Sequence, residues 1–225
     1  ASTMGGTFSG TATTGDISDS GNLAITGAAT FITAQAAQDI ILDQANAFTS
    51  PVTMKAGTGG SLAFNDITFV DSAAVRLHSS AASAGDLYIN ASTDLAVSGN
   101  LNITATTGNI TQGAAVTVTG TSSFETMATG ADIILGSANS LGGAVTLTTA
   151  GSGGNVTLDN GTTALIIAQS SVGGDLTLTS GHASGITDSG TVTVAGDFSA
   201  TTDANNGDIN MGTLAVTGTI GLTTN

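Results

Sequence analysis

The chain repeats itself, and a fixed repeat constrains the fold more than any other feature of the sequence. Residues 4–21 match residues 172–190 with one residue inserted, and a weaker copy runs from Ala84 to Gly99. A chain built from such copies folds as a stack of similar units rather than around one globular core. A further alignment at a constant offset of 93 residues pairs Ala24–Phe31 with Thr117–Phe124, Asp39–Leu42 with Asp132–Leu135, and Val52 with Val145.

The spacing between copies changes along the chain. Gly6 and Gly85 correspond at a shorter offset than the later pairs, so the second copy has gained 14 residues between Leu101 and Val116. A stack of coils tolerates such an insertion because each coil contacts only the coils above and below it. The sequence therefore predicts that one whole short repeat was inserted there.

Short alternating segments make up the repeats. In each one, Val, Leu or Ile alternates with Thr or a small residue, as in a β-strand with one buried face. Such segments are Leu23–Thr26, Leu101–Thr104, Val116–Thr119, Val145–Thr148, Val156–Leu158, Leu176–Thr179, Val192–Val194 and Leu214–Thr217. Many strands follow a Gly-Asp or Gly-Asn pair, which we expect to supply the left-handed backbone of a corner. The pairs are Gly15-Asp16, Gly21-Asn22, Gly85-Asp86, Gly108-Asn109, Gly154-Asn155, Gly174-Asp175 and Gly207-Asp208.

These patterns predict an all-β fold, a right-handed parallel β-helix (β-solenoid) that spans residues 1–225 as one unit. Coils of about 20 residues would stack about 4.8 Å apart and give roughly 11 coils and a rod of about 50 Å. No segment predicts a helix, because the Ala-rich stretch 34–39 is short and runs into the strand Ile40–Leu42. Pro51 is expected in a turn, and no linker divides the chain.

The composition suits a narrow rod. Hydrophobic residues make up 40% of the chain but aromatic residues only 4%, so the core must be thin and built from Val, Ile, Leu and Ala. The Phe residues are expected to stack inside this core, and Tyr88 is expected to be the one exposed aromatic residue. The Phe residues are Phe8, Phe31, Phe48, Phe64, Phe69, Phe124 and Phe198.

The charge pattern excludes several partners. Lys55 and Arg76 are the only basic residues against 16 carboxylates, which gives a formal net charge of -14. Nucleic acid and anionic membrane surfaces are excluded, because binding to phosphates depends on several Lys or Arg side chains. No segment approaches the roughly 18 consecutive apolar residues of a membrane span. Residues 1–10 lack the features of a secretory signal, so we expect any export signal upstream and the chain to be a fragment or a processed product.

Three stretches carry a resemblance to a known family: Val172–Ser180 (VGGDLTLTS), Gly185–Gly196 (GITDSGTVTVAG) and Phe124–Leu135 (FETMATGADIIL). In these stretches, and across nearly the whole chain, the sequence resembles the repeats of filamentous haemagglutinin-like exoproteins, which are exported by two-partner secretion. The resemblance implies the shaft of a large protein on the bacterial cell surface, shared by adhesins and toxin carriers. The family's amino-terminal secretion domain, with its Asn-Pro-Asn motif, is absent, because the one proline follows Ser50.

Candidate sites for chemistry are few. Calcium-binding β-rolls carry a Gly-Gly-x-Gly-x-Asp motif, and the nearest segment, Gly153–Asp159, lacks its spacing, so the Asp residues are interpreted as turn formers. Arg76 and His78 share one face of the segment 75–78, either as a solvated outer surface or as a local ligand contact. His182 is interpreted as a loop residue outside any Ser/His/Asp arrangement.

Outward Thr pairs suggest a flat hydroxyl array of the kind that binds ice. Their spacing along the chain is irregular, however, and Thr is also a good solvent-facing strand residue. The sequence therefore favours an ordinary outer surface. The pairs are Thr117/Thr119, Thr146/Thr148 and Thr177/Thr179.

The leading hypothesis for function is a structural or adhesive shaft of a secreted bacterial surface protein. Its expected partners are neighbouring repeats of the same protein and a glycan or protein on a host or neighbouring cell. Open solenoid ends are unpaired strand edges, so the second hypothesis is a subunit that joins others into an extracellular fibre. A β-helix enzyme acting on polysaccharide ranks third, since titratable groups are scarce. The sequence predicts no enzyme activity, no cofactor, no metal site and no membrane insertion.

Overall fold

A computed structural model describes residues 1–57, 60, 62–78, 80, 83, 86–90, 95–203 and 207–225 of the chain. The regular structure in these residues is β-strand, and no helix occurs among them. The weaker repeat copy begins at Ala84 and Gly85, which lie outside the described residues, as does the glycine of the predicted corner pair Gly85-Asp86.

The strands are short and follow one another closely. The first half of the chain contains β1 (Ser2–Met4), β2 (Phe8–Ala12), β3 (Ile17–Ser18), β4 (Leu23–Ile25), β5 (Ala29–Thr33), β6 (Ile40–Phe48), β7 (Val52–Ala56), β8 (Ile67–Asp71), β9 (Val75–Leu77), β10 (Asp86–Asn90), β11 (Ala96–Val97), β12 (Leu101–Ala105) and β13 (Ile110–Gln112). The second half contains β14 (Thr117–Val118), β15 (Ser122–Thr126), β16 (Ile133–Leu135), β17 (Ser140–Leu141), β18 (Val145–Thr149), β19 (Val156–Asp159), β20 (Leu165–Ile167), β21 (Ser170–Val172), β22 (Leu176–Ser180), β23 (Ile186–Asp188), β24 (Val192–Val194), β25 (Phe198–Thr202), β26 (Ile209–Asn210), β27 (Leu214–Val216) and β28 (Ile220–Thr224).

The strands stack into two main sheets and one small sheet. The first sheet has 11 strands in the order β2, β5, β7, β10, β9, β13, β16, β19, β22, β25 and β28. The second sheet has 14 strands, among them β3, β6, β8, β12, β15, β18, β20, β23 and β26, and the small sheet consists of β11, β14 and β17. Neighbouring strands pair in parallel, for example β12 with β15 and β15 with β18. The chain therefore winds repeatedly around one axis, which confirms the predicted parallel β-helix.

The solenoid has about nine turns, so the prediction of roughly 11 coils was wrong. Hydrogen bonds between equivalent corner positions of neighbouring coils measure the coil length. The separation is 23 from Asp16 to Asp39 and again from Asp132 to Asn155, and it is 22 from Asp175 to Asp197. Fewer coils fit into the chain because most of them are longer than predicted. At about 4.8 Å per coil, the rod is roughly 43 Å long.

Buried and outward residues alternate along the strands as predicted. In β12, Leu101, Ile103 and Ala105 are buried, whereas the residues between them are half-buried on the outer side. The same alternation recurs in β5, β15 and β18. The buried residues of successive coils join into one continuous apolar column, which is the core of the rod.

The Phe residues lie inside this column, as predicted. Six of them are at most 3% exposed, and Phe8, at the amino-terminal end of the stack, is half-buried. The ring centroids of Phe8 and Phe31 are 5.2 Å apart, and those of Phe48 and Phe69 are 5.4 Å apart. Tyr88 is half-buried on the outer side of β10 rather than exposed.

The repeat that pairs Phe31 with Phe124 does not return strands to the same sheet. Phe31 lies in β5 of the first sheet, whereas the corresponding Phe124 lies in β15 of the second. Ile40 lies in β6 of the second sheet, whereas the corresponding Ile133 lies in β16 of the first. One copy is therefore rotated by half a turn about the axis relative to the other.

The segment inserted between Leu101 and Val116 explains this rotation. The chain makes one turn from β2 to β5 but one and a half turns from β10 to β15, and the longer path includes β12 of the second sheet and β13 of the first. The net gain is half a turn, which is less than a full coil. The stack accepts this shift because both sheets bury the same alternating apolar residues against the core.

The Gly-Asp and Gly-Asn pairs serve the corners in two ways. Gly15 and Gly108 have positive φ angles of 80° and 79°, as predicted. Gly154 and Gly174 lack a positive φ, so the predicted left-handed backbone is wrong for them. A Cβ atom at Gly154 would lie 2.6 Å from the carbonyl oxygen of Ala131 in the preceding coil. At such corners glycine is required by the close approach of two coils.

Candidate functional surfaces

Two columns of side chains run along corners of the solenoid, parallel to its axis. In each column, the Oδ1 atom of an Asp or Asn accepts a hydrogen bond of 2.6–3.0 Å from the backbone N–H of the corresponding residue one coil later. These bonds join each coil to the next, and we call the two sets the outer columns. One consists of Asp16, Asp39, Asp66, Asn100 and Thr121, and the other of Asn109, Asp132, Asn155, Asp175, Asp197 and Thr219.

The two outer columns show the same half-turn rotation between the repeat copies. Asp39 and Asp132, which correspond in the sequence alignment, precede strands of different main sheets. The N–H of Thr219 and its hydroxyl group lower the pKa of Asp197. The Asp residues of these columns therefore act as acceptors for corner backbone groups, which agrees with their interpretation as turn formers.

A second set of polar side chains lies inside the coils and was not identified from the sequence. Each accepts a hydrogen bond of 2.8–3.0 Å from a backbone N–H of the preceding coil, so the polarity of these bonds is opposite to that of the outer columns. The sequence does contain a signal for these residues. A polar residue at an inward position of an alternating strand, such as the last residue of β8, indicates a buried polar side chain. The set, here called the inner acceptors, consists of Asn46, Asp71, Asn139 and Asn160, each at most 3% exposed.

Asp71 is the inner acceptor that can carry a charge. Burial raises the pKa of this carboxyl group, although hydrogen bonds from the backbone N–H groups of Phe48, Ser72 and Ala73 oppose the increase. At Asp188, burial alone would raise the pKa, but the N–H groups of Gly212 and Thr213 outweigh it and the pKa is lowered. The pKa values of the two carboxyl groups are therefore shifted in opposite directions.

Arg76 forms an ion pair and is not simply a solvated side chain. It points outward between the buried Val75 and Leu77, as the alternation predicted. Its Nη2 atom lies 2.6 Å from Oδ1 of Asp86, whose side chain is fully buried. Asp86 is the first residue of β10, which follows β9 in the chain but lies between β7 and β9 in the first sheet. The ion pair therefore links β10 to the strand that precedes it in the sequence.

Both histidines make contacts within their own turns. Nδ1 of His78 lies 3.1 Å from the hydroxyl oxygen of Ser80. Nδ1 of His182 accepts a 2.9 Å hydrogen bond from the backbone N–H of Ser184. The structure does not bring the two histidines into one cluster with Arg76. In the segment Gly153–Asp159, Oδ1 of Asp159 accepts a 2.8 Å hydrogen bond from Gly161, which is turn chemistry.

The three Thr pairs of the sequence analysis lie in three different sheets and form no common array. Thr117 belongs to β14 of the small sheet, Thr146 to β18 of the second sheet and Thr177 to β22 of the first. Outward hydroxyl groups of the first sheet, including those of Thr177 and Thr179, do align from coil to coil. These aligned rows are Thr157, Thr177 and Ser199, and Thr179, Thr201 and Thr223.

A shallow groove of about 590 Å³ runs along the outer surface of the second sheet. It lies where β18 pairs with both β20 and β21. Its lining carries hydroxyl groups and one side-chain amide but no charged group, so it can offer hydrogen bonds to a neutral polar ligand. The lining residues are Thr146, Thr148, Gln169, Ser170, Ser171, Thr191 and Thr193.

Within the described ranges, no group of three or more His, Asp or Glu side chains is arranged to hold a metal ion. No helix among the same residues is long and apolar enough to cross a membrane.

Parallel coils, hydrogen-bonded columns at the corners and internal sequence repeats together define a β-solenoid repeat protein. The chain belongs to the family described as repeats of unknown function (DUF5649), whose model matches residues 1–55, 64–148 and 153–223. The first two matches end at Lys55 and Thr148, positions that correspond in the alignment of Val52 with Val145. No curated protein and no solved structure matches the chain.

Proposed function

We propose that the chain is part of the structural or adhesive shaft of a secreted bacterial surface protein. The observation that carries the proposal is the stack of about nine coils, in which outer columns and inner acceptors tie neighbouring coils together. Each added coil lengthens such a rod by about 4.8 Å and leaves the other coils unchanged. The protein would thus act as a spacer that holds a binding or toxin domain away from the cell.

Three features support export to the cell surface. The chain contains no Cys, so no disulfide bond can form before an unfolded chain passes through a secretion pore. Coils that contact only their neighbours can fold progressively as the chain emerges. The repeats also resemble those of filamentous haemagglutinin-like exoproteins, in the stretches 124–135, 172–180 and 185–196.

The groove on the second sheet favours an adhesive role beside the mechanical one. Thr146, Thr148, Thr191 and Thr193 present hydroxyl groups along it, and none of the residues that line it is charged. Hydrogen bonding of this kind suits a neutral glycan on a host or neighbouring cell. A glycan array probed with the purified chain and with a Thr146→Val/Thr193→Val variant tests this role, since only the unmodified chain should bind.

The spacer role is tested in cells that produce the full-length protein. Immunogold labelling with an antibody against a distal tag should mark intact cells, and insertion of ten extra copies of residues 133–155 should move the gold outward by about 48 Å. Labelling that requires permeabilised cells, or gold whose distance does not change with the insertion, would contradict the proposal. An equal insertion of a flexible Gly/Ser linker is the control, because it should broaden the distances rather than shift them uniformly.

A further inference from the structure

The basic side chains of this acidic chain lie together on one face of the rod. Lys55 and Arg76 are the two basic residues of the sequence, His78 is one of its two histidines, and Tyr88 is its single tyrosine. All four point outward from the first sheet, on or directly after the neighbouring strands β7, β10 and β9. We call these four residues the cationic patch.

An unusually long coil brings these residues together. The corner hydrogen bond from Asn100 to Asp66 joins residues 34 positions apart, whereas the equivalent bonds elsewhere in the outer columns join residues 20–27 positions apart. This coil contains both β9 and β10, and β10 is inserted between β7 and β9 although it follows both in the chain. In the second sheet, the strands β6, β8 and β12 are direct neighbours without such an insertion. The added strand therefore places Tyr88 between β7, which carries Lys55, and β9, which His78 follows.

The strand register puts Tyr88 at the centre of the cationic patch. Tyr88 is paired with Thr53 of β7, which lies two residues before Lys55 on the same outward face. On the other side, the N–H of His78 donates to the carbonyl oxygen of Leu87, so His78 lies beside Tyr88 in the register of β9 and β10. Neighbouring strands are about 4.8 Å apart, so one small ligand can span all three strands.

Two sets of contacts hold the patch in place. The carboxylate of Asp86, whose side chain is fully buried, accepts hydrogen bonds from Arg76 and anchors the start of β10 to β9. Nδ1 of His78 lies 3.2 Å from the backbone nitrogen of Ser80. In the tautomer in which Nδ1 accepts this N–H, Nε2 carries the ring proton and can donate it to an anion. The ring lies over Gly113 of the next coil, where the Cβ atom of any other residue would collide with the imidazole.

Charge sets the patch apart from the rest of the rod, whose formal net charge is -14. Asp86 neutralises Arg76, whereas no carboxylate pairs with Lys55 among the described residues. One unpaired cation beside a histidine suits a single anionic group. A polyanion would be repelled by the many carboxylates along the rod.

The surroundings of the patch favour a sugar over a peptide. Tyr88 offers an aromatic face on which the apolar face of a sugar ring can stack. Outward Thr side chains nearby can exchange hydrogen bonds with sugar hydroxyl groups. Of the described outward side chains on β5, β7, β9, β10 and β13, only Ile32 is aliphatic, which leaves little to anchor a peptide. The Thr residues are Thr30, Thr53 and Thr111.

We propose that the cationic patch binds the carboxylate of an acidic sugar that ends an otherwise neutral glycan. Lys55 and Nε2 of His78 contact the carboxylate, and Tyr88 stacks against the sugar ring. Arg76 acts through Asp86 and holds β10 in position. The patch lies on the first sheet, whereas the hydroxyl-lined groove lies on the second, so this site is separate from the one proposed for a neutral glycan.

Calorimetric titration of the purified chain with lactose and with sialyllactose tests the proposal, because the second sugar adds one carboxylate-bearing residue to the first. Sialyllactose should bind at least about tenfold more tightly, as expected for a hydrogen bond to a charged group. Lys55→Gln should remove most of this preference, and Lys55→Arg should retain it. Glu125→Gln, which removes an outward charge from β15 of the second sheet, is the matched control and should leave binding unchanged.

Circular dichroism of each variant checks that it is folded, and Tyr88→Ala is a second variant that should weaken sialyllactose binding while Lys55 remains. Equal affinities for the two sugars, or no measurable binding of sialyllactose, would overturn the proposal. Full binding by Lys55→Gln would overturn it as well, and tighter binding of a short peptide with one glutamate would assign the patch to a protein partner instead. The groove variant Thr146→Val/Thr193→Val should bind sialyllactose normally, so failure of the groove and failure of the patch are measured separately.

Discussion

Deletion of residues 133–155 removes one coil and should leave the rest of the stack intact. Ile133 and Val156 are direct partners in β16 and β19, so Val156 takes the place of Ile133 beside Ile110 after the deletion. Both side chains point into the core, and the alternation of buried and outward residues is preserved. The second sheet closes in the same way, since the deleted strand β18 has partners on both sides.

The outer column also closes across the deletion. Asp132 then precedes Val156, and its Oδ1 atom can accept the N–H of Asp175 in place of the N–H of Asn155. Stability in a repeat protein is roughly a sum over units and their interfaces, so removal of one coil in about nine lowers the free energy of unfolding by about one-ninth. For a protein stable by roughly 5–15 kcal/mol, the loss is about 0.6–1.7 kcal/mol.

Deletion of the single residue Thr146 is the contrasting change. In β18, Val145 and Leu147 are fully buried on either side of Thr146, so its removal forces one of them to the outer surface. Exposure of a buried Leu or Val side chain costs about 1.5–3 kcal/mol, and the displaced register adds to this cost. Loss of one residue should therefore destabilise the protein more than loss of a whole coil.

Urea denaturation followed by circular dichroism measures both variants. The coil deletion should keep the β-sheet spectrum of the unmodified chain and shift the midpoint slightly, whereas the Thr146 deletion should shift it strongly. A coil deletion that abolishes the β-sheet spectrum, or that costs more free energy than the Thr146 deletion, would refute the argument from independent stacked coils.

Three further changes test the corners and the inner acceptors. Gly143→Ala places a Cβ atom 2.3 Å from the carbonyl oxygen of Gly120 and should lower the free energy of unfolding by about 1–3 kcal/mol, whereas Gly136→Ala, with open space around its Cβ, should change it by less than about 0.5 kcal/mol in thermal denaturation. Asp132→Ala removes the acceptor for an N–H of the next coil and should cost about 1 kcal/mol, while Asp132→Asn retains the acceptor and should cost little; equal effects of the two would show that the hydrogen bond is unimportant. Burial raises the pKa of Asp71, so the stability associated with its protonated form is present below the ordinary carboxyl pKa and is lost as pH rises through the raised pKa. Asp71→Asn should therefore stabilise the chain at about pH 7, with an advantage that diminishes toward about pH 3 in urea titrations; an advantage that grows on acidification would contradict the sign of the shift.

The strands and their buried faces could be predicted from the sequence because alternation is a local pattern. In the segment LNIT, the apolar residues Leu101 and Ile103 alternate with polar residues and point inward. Val145 and Leu147 do the same in β18. The number of coils was overestimated because corner lengths vary and carry no regular apolar signal. The half-turn rotation was missed because both main sheets use the same alternating pattern, so the pattern does not indicate which sheet a strand joins.

The environment of Arg76 could not be predicted, because it depends on the position of β10. That strand lies out of sequence order in the first sheet, and no local pattern indicates that Asp86 pairs with Arg76. The inner acceptors were missed for a different reason. Asn46 and Asp71 occupy inward positions where a polar side chain breaks the apolar alternation, and only the backbone N–H groups of the neighbouring coil explain their burial.

Engineered disulfide bonds test the register of the stacked coils most directly, because the natural chain has no Cys. Thr177 and Ser199 are paired in β22 and β25, so their Cα atoms are about 4.8 Å apart, within the range that a disulfide bond can span. Thr146 has the same outward position as Thr177 in the sequence pattern but lies in the other main sheet. The Thr177→Cys/Ser199→Cys variant should form an intramolecular disulfide under mild oxidation of the folded chain, and the Thr146→Cys/Thr177→Cys variant should not. Efficient bridging of Thr146→Cys/Thr177→Cys, or failure of bridging in Thr177→Cys/Ser199→Cys, would contradict the stacked register on which the solenoid fold depends.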